Sequence, residues 1–233
     1  MKAIALIGNK KSGKTTLASQ LCSYLDRLGY RVAAAKFSHH AFDQEDTDTA
    51  LLSAHTQAVI GISPDQSLVQ WKDQKSLFDL LPLISADVLV VEGGRDLEAM
   101  PRIVLPKEDE SDRDLGADLA LAAWQRTYGA HLPVLHSVQE VAHKVLEQGF
   151  LLAGNDCGAC GRENCGLLAR DILQGRARPE DCKAQHSALR IQVNGRTLGM
   201  NPFVENLIAG CIKGMLEQLK GYAPGTIEIS LEG

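Results

Sequence analysis

Residues 2–7 (KAIALI) form a short apolar run that stops at Gly8 and passes directly into GNKKSGKT, Gly8 to Thr15. The run reads as a buried strand, and the leucines that follow Thr15 at three- and four-residue spacing read as a helix. A strand, a glycine-rich loop and a helix in that order is the context in which G-x4-G-K-[ST] has a mechanism. Backbone N–H groups of the loop and the helix N-terminus converge on an anion, and the helix dipole favours negative charge there. Gly8 and Gly13 let the backbone turn tightly with no Cβ in the way. Lys14 is expected to reach the β- and γ-phosphates and the Thr15 hydroxyl to sit on Mg²⁺. Gly8, Asn9, Lys10, Lys11, Ser12, Gly13, Lys14 and Thr15 are thus the expected nucleoside triphosphate contacts, and Thr16 starts the helix proper. Lys10 and Lys11 add positive potential or face solvent.

Downstream, strand and helix patterns alternate, the signature of an α/β unit: a P-loop NTPase-type, mostly parallel sheet flanked by helices. A helix is expected over Thr15–Leu28, stopped at Gly29, and a strand over Arg31–Lys36 whose alanines suggest a crowded sheet centre. Further helices are expected over 49–57, 75–84 and 138–148, and strands over 58–62, 67–71, 102–105, 118–123 and 132–136. Ala86–Val91 (ADVLVV) is the strongest buried-strand pattern, and Glu92-Gly93-Gly94 ends it. Glu92 stands where a carboxylate would hold Mg²⁺ or its waters; an ordinary strand-end carboxylate is the alternative. His39 and His40, beside Asp43 and several other carboxylates, suit a divalent metal, a phosphate and base contact, or a mobile polar loop. Residues 106–116 (PKEDESDRDLG) read as an exposed charged loop. This unit is assigned to 1–150.

A smaller α+β unit, 151–233, holds Cys157-x2-Cys160-x4-Cys165-x16-Cys182. Structural zinc prefers two C-x2-C knuckles. Three cysteines within nine residues and a distant fourth suit a 4Fe-4S cluster, one thiolate per iron, with zinc as the alternative. Gly158, Gly161 and Gly166 would let backbone N–H groups approach the sulfurs. A hairpin about Asn194-Gly195, an amphipathic helix over Pro202–Leu219 and a strand over Thr226–Leu231 complete the unit. Cys22 and Cys211 are expected to be packed core cysteines.

A net charge of -5 gives no sign of a nucleic-acid or anionic-membrane partner. No apolar run approaches the roughly 18–20 residues that cross a bilayer, and the first apolar stretch is too short for a signal peptide. A cytoplasmic location is expected, where clustered thiols concern metal or redox chemistry.

Three blocks, GNKKSGKTTL, GYRVAAAKFSHHAFDQEDTDT and VLVVEGGRDLEAMPRIVL, resemble in sequence and order those of the molybdopterin-guanine dinucleotide biosynthesis adapter (MobB-type) family, over about residues 1–135. The resemblance implies GTP with Mg²⁺ as ligand and weak hydrolysis at most, and no side chain stands out as a catalytic base. It assigns Gly8 to Thr16 to the nucleotide phosphates and places Lys36, His39, His40, Asp43, Glu92 and Arg95 around the same cleft. It also implies a homodimer that assists a molybdopterin guanylyltransferase. The chain departs from the family at ALLSAHTQAVIGIS after Asp48-Thr49 and at EGGR in place of an EGFK-like run. No Asn-Lys-x-Asp guanine-reading motif is present, so GTP over ATP rests on the resemblance. CGACGRENCGLLARDILQGRARPEDC resembles the small four-iron four-sulfur domain of corrinoid iron–sulfur proteins and of a subunit of membrane electron-transport complexes, in its cysteine spacing and in the glycine near a helix end, here Gly175. The leading expectation is a GTP-binding adapter of molybdenum cofactor biosynthesis. A P-loop ATPase that carries or delivers iron–sulfur clusters is the alternative, and a redox-linked interaction module a third.

Overall fold

The structure, a computed structural model, describes residues 1–38, 47–107, 115–129, 131–186, 189, 191–193, 196–198, 200, 202–225, 227 and 229. The chain runs β1 (Lys2–Ile7), α1 (Lys14–Arg27), β2 (Val32–Lys36), α2 (Asp48–Ser53), β3 (Ala58–Ile62), β4 (Ser67–Trp71) and α3 (Leu77–Leu80). It continues through β5 (Val88–Glu92), β6 (Arg102–Val104), β7 (Ala120–Trp124), β8 (Val134–Leu135) and α4 (Val138–Gln148). The remainder is α5 (Cys165–Leu173), β9 (Gln192–Val193), β10 (Arg196–Thr197) and α6 (Pro202–Leu216).

Six strands form one parallel sheet in the order β2-β5-β1-β6-β7-β8. Both faces are covered, which is why β1 and β5 read as continuous apolar runs rather than alternating ones. Ile4, Leu6, Val88, Val90 and Ile103 pack on one face against Leu17, Leu21 and Leu25 of α1 and Val141 and Val145 of α4. Their alternates Ala3, Ala5, Ile7, Leu89, Val91 and Val104 pack on the other with Met100, Leu115 and Tyr128. Leu6 pairs with Glu92 and Glu92 with Lys36. One row at the carboxyl edge of the sheet thus carries the loop after β1, a carboxylate and an ammonium. Ligands of open α/β sheets bind at this edge, where neighbouring strands connect in opposite directions.

The local signals act as their chemistry requires. Gly13 takes φ 89° at the start of α1, which has no side-chain cap there, so its first N–H groups are left to a ligand. At the far end Gly29, φ 85°, lets the Tyr30 N–H reach back to the Leu25 carbonyl. Ser137 and Glu140 form a capping box on α4.

Several expectations need correction. β2 is an edge strand, not the sheet centre; its alanines are small because Ala33 and Ala35 fill the margin of the second core. α2 stops at Ser53, since it buries none of its residues and nothing holds a longer helix. Pro82 holds the third helix to four residues and a short 3-10 turn, and β8 begins only after Pro133, which lacks an N–H to donate. α5 ends just before Gly175, at the helix end the resemblance implied; its start at Cys165 was not foreseen. Cys211 is exposed rather than packed: α6 ends at Leu216, and Glu205 is its one buried residue among those described. The β9–β10 pairing forms with two residues between the strands, while the strand expected over Thr226–Leu231 falls largely outside the described residues.

Two features stand apart from the sheet. β3 and β4 form an antiparallel hairpin, with Ile60 69% and Ile62 80% exposed. The segment after α4 returns to the main body, and Phe150, Leu152, Cys165, Leu168, Ala169 and Cys182 share a third core with Ala99 and Leu119. No helix among the described residues is long and apolar enough to cross a membrane.

Candidate functional site

The loop Gly8–Thr15 is closed by its own contacts. The Lys14 ammonium donates to the Gly8 carbonyl at 2.8 Å and the Asn9 carbonyl at 2.7 Å. A Cβ on Gly8 would stand 2.4 Å from Ser12 Oγ and 2.7 Å from the Leu105 carbonyl, so this position admits only glycine. Ser12 Oγ is buried with no hydrogen-bond partner among the described residues. Lys11 takes φ 64° at the tip of the turn, and Lys107 donates to the Lys10 carbonyl from the far side.

Charge gathers here in a pattern suited to a polyanion with a cation. Burial lowers the pKa of Lys14; Glu92 opposes that shift, and Lys107, Lys36 and Arg95 reinforce it. Such a cluster of cations raises the local potential for a phosphate chain. On the β5 side, the Thr15 hydroxyl donates to Glu92 Oε1 at 2.7 Å, and Lys36 Nζ lies 3.3 Å from Glu92 Oε2. A hydroxyl beside a carboxylate is an oxygen pair able to take Mg²⁺. Arg95 Nη2 donates to Asn9 Oδ1 at 3.0 Å. Glu92 and Arg95 therefore touch the loop and Lys36 pairs with Glu92, whereas His39, His40 and Asp43 lie outside the described residues.

Arg102 was missed. It is 3% exposed on β6, and its guanidinium donates to the carbonyls of Arg95 and Leu97, each at 3.2 Å, and of Leu115 at 3.4 Å. It pins the loop that joins Glu92 to Glu98. Burial lowers its pKa, with Asp118 and Glu98 acting in the opposite sense. The signal was present as an arginine inside the apolar MPRIVL run, since such a residue is almost never buried without partners. Gly93 and Gly94, at φ 85° and 70°, bend the start of the same loop.

The cysteine region is built on left-handed turns: Gly154, Asp156, Gly158 and Gly161 have φ of 67°, 46°, 68° and 79°. Cys165 and Cys182 are buried, Cys157 and Cys160 half-buried. Cys160, Cys165 and Cys182 border one apolar cluster. Asp156 Oδ1 accepts from the Cys165 N–H at 2.7 Å, and Asn164 caps α5 by accepting from the Leu167 N–H. Arg162 donates to Asp171 at 2.7 Å and to the Cys160 carbonyl at 3.1 Å. Burial pushes the Cys165 thiol up to about 11, so the thiolate needs a metal's charge to form. No three His, Cys, Asp or Glu side chains among the described residues converge on one metal ion; a four-iron cube spreads its thiolates, one to each iron. The two regions touch through Arg170 of α5, which pairs with Glu98 and Asp118.

A larger cavity, ≈ 1160 Å³, lies at the opposite edge of the sheet beside Lys2, Phe78, Asp87 and Phe150. It has no glycine loop and lies at the amino ends of β1 and β5, so its size does not make it the nucleotide site.

Comparison with known proteins agrees with this geometry. Residues 3–123 match the family model "MobB: Molybdopterin guanine dinucleotide synthesis protein B", and residues 152–184 match one described as "Putative Fe-S cluster". A protein of Methanocaldococcus jannaschii, "Putative molybdopterin-guanine dinucleotide biosynthesis adapter protein", is 29% identical over 244 residues, covering 100% of this chain and 98% of that one. The crystal structure of Bacillus subtilis MobB superposes with a TM-score of 0.51 at 19% identity, over 62% of this chain and 98% of that one. A crystal structure of molybdopterin-guanine biosynthesis protein B does so at 0.50 and 20% identity, over 62% and 96%. At these identities the two structures speak for the fold alone. With its phosphate loop at the carboxyl edge of a parallel sheet and more than half its length matched, the chain belongs to the molybdopterin guanine dinucleotide synthesis protein B family and carries an iron–sulfur-type region behind the family domain.

Proposed function

We propose that the protein is a GTP-binding adapter that assists a molybdopterin guanylyltransferase, with at most slow hydrolysis of its nucleotide. The observation that carries this reading is the Thr15–Glu92 contact at 2.7 Å with Lys14 folded behind it. The amides of Gly8–Thr16 and Lys14 hold the phosphates, and Thr15 and Glu92 take Mg²⁺ between them. Lys36 and Arg95 flank the terminal phosphate from β2 and from the loop after β5. None of the described side chains around the phosphates is a poised base, which suits binding and release more than turnover.

The division at 150/151 separates the nucleotide-binding unit from a unit in which Cys157, Cys160, Cys165 and Cys182 hold a 4Fe-4S cluster. Such a cluster supplies one-electron chemistry when bound. The chain's own part is to shield it, through the apolar cluster around Cys165 and Cys182. A cytoplasmic homodimer fits the β3–β4 hairpin. Ile60 and Ile62 are too exposed for a free two-stranded ribbon, which is marginal in water without a covered apolar face.

The test is formation of the guanine dinucleotide by a molybdopterin guanylyltransferase with and without this protein. Wild type should stimulate the reaction and Lys14→Ala should not. Equal stimulation by both would contradict the role given to bound nucleotide.

A further inference from the structure

We infer that the small cavity beside the phosphate loop, on the side away from Glu92, is a guanine subsite read by Gln125 and Arg126. The inference rests on the reading of Gly8–Thr15 as the triphosphate site of a GTP-binding protein and adds where the base lies and which side chains read it.

The cavity measures ≈ 320 Å³ and is lined by Gly13, Thr16, Gln20, Trp124, Gln125 and Arg126, among others. Its position follows from sheet order, because β5 and β7 lie on opposite sides of β1. Thr15 turns its hydroxyl to Glu92 at the end of β5. The next residue, Thr16, lines the cavity at the end of β7. Successive residues of a helix point about 100° apart, so the first turn of α1 faces both ways at once. A phosphate chain lying over Gly13–Thr15 has its metal-bound end at Glu92 and its nucleoside end here. The volume is at the low end of ligand sites, roughly 300–1,000 Å³, and suits one base with its sugar.

The backbone at the mouth is held in an uncommon conformation. Gln125 takes φ 60°, one of three described non-glycine residues with positive φ. Its N–H is spent on the Leu135 carbonyl at 2.8 Å, and that of Arg126 on the Trp124 carbonyl at 2.8 Å. Strain of this kind persists where a side chain must be aimed. With those two amides committed, recognition at this turn falls to the exposed side chains of Gln125 and Arg126.

Their chemistry selects guanine. Arginine has donors only and pairs with O6 and N7 of guanine, two adjacent acceptors. Adenine places an amino donor beside N7, so the same guanidinium would face a donor. The Gln125 amide supplies the acceptor that guanine's N1–H and amino group need, in a cavity lined by no carboxylate among the described residues. Trp124 supplies an apolar wall for the base.

The test is a titration of the full-length protein with GTP, ATP and inorganic tripolyphosphate, each with Mg²⁺, for wild type, Arg126→Ala and Gln125→Gly. Glycine keeps the positive φ while removing the side chain, and a thermal melt checks that each variant is folded. Wild type should prefer GTP to ATP. Each substitution should weaken GTP binding about 10-fold, as expected for a lost base contact, and leave tripolyphosphate affinity unchanged. Equal affinity of wild type for GTP, ATP and tripolyphosphate would overturn the guanine subsite while sparing the phosphate loop. No binding of any of the three would overturn both.

Discussion

Replacing Arg102 by methionine tests whether the loop between Glu92 and Glu98 is held from beneath by a buried cation. The guanidinium donates three hydrogen bonds, at 3.2, 3.2 and 3.4 Å, to backbone carbonyls of Arg95, Leu97 and Leu115. Bonds from charged donors contribute about 1.5–3 kcal/mol each when short and well aligned. These are long, and the Arg95 and Leu97 carbonyls are only partly buried, so each contributes nearer 1 kcal/mol. Methionine keeps much of the stem's packing, which makes any cavity small. Relief of the buried charge offsets part of the loss, consistent with the lowered pKa of Arg102. The net expectation is a destabilisation of about 2–3 kcal/mol, or a melting temperature lower by roughly 4–12 °C for a chain of this size. Urea unfolding measures the first quantity and calorimetry the second. GTP affinity should fall as well, because Arg95, Glu92 and the loop between them lose their support. Stability within about 0.5 kcal/mol of wild type, together with unchanged GTP affinity, would refute the reasoning and mean that water serves those carbonyls equally well.

Other perturbations follow from single contacts. Gly8→Ala has no space for its methyl against Ser12 Oγ and the Leu105 carbonyl; it should cost about 1–3 kcal/mol and abolish nucleotide binding by titration. Asp87 is held down to about 2, from 3.8, first by its hydrogen bond from Arg31. Its folded pKa is depressed, so its contribution is complete above pH 4 and lost as pH falls toward 2; acid unfolding of Asp87→Asn should lack that component. Gly166→Ala would put a methyl 2.0 Å from Glu98 Oε2 and within 3.0 Å of Glu98 Cβ. It should displace Glu98 from Arg170 and lower the melting temperature by a few degrees, whereas an unchanged melt would mean that Glu98 is free to swing away. Anaerobically purified protein should be brown with about four irons per chain and should lose them in Cys182→Ser; a colourless protein with one zinc would contradict the cluster assignment.

Much of the α/β unit was legible in the sequence because its strands are buried on both faces and therefore apolar without interruption. The phosphate loop was legible because its glycines answer steric demands visible in the motif itself. Glu92 could be named from its place at the end of the apolar strand, and Lys36 and Arg95 from the family resemblance, but their meeting depends on sheet order. Nothing local says that β5 inserts between β2 and β1, which is why the alanines of β2 misled. Arg102 escaped because an arginine in an apolar strand has no local partner; its carbonyls come from 5, 7 and 13 residues away. Only the end of α5 was legible, through the resemblance at Gly175; its start escaped because the cysteines and glycines before it speak of turns, while its apolar residues are fixed by Ala99 and Leu119 far upstream. The amphipathic pattern of α6 was read correctly as helix and wrongly as core, since periodicity shows that a face exists and not what covers it.

The most direct test of the central claim is calorimetric titration of Mg²⁺·GTP against wild type and Lys14→Ala, with both shown to be folded. Saturable binding to wild type that disappears in the variant is the expected result. Equal binding to both proteins, or none to wild type, would contradict the placement of the nucleotide on Gly8–Thr15.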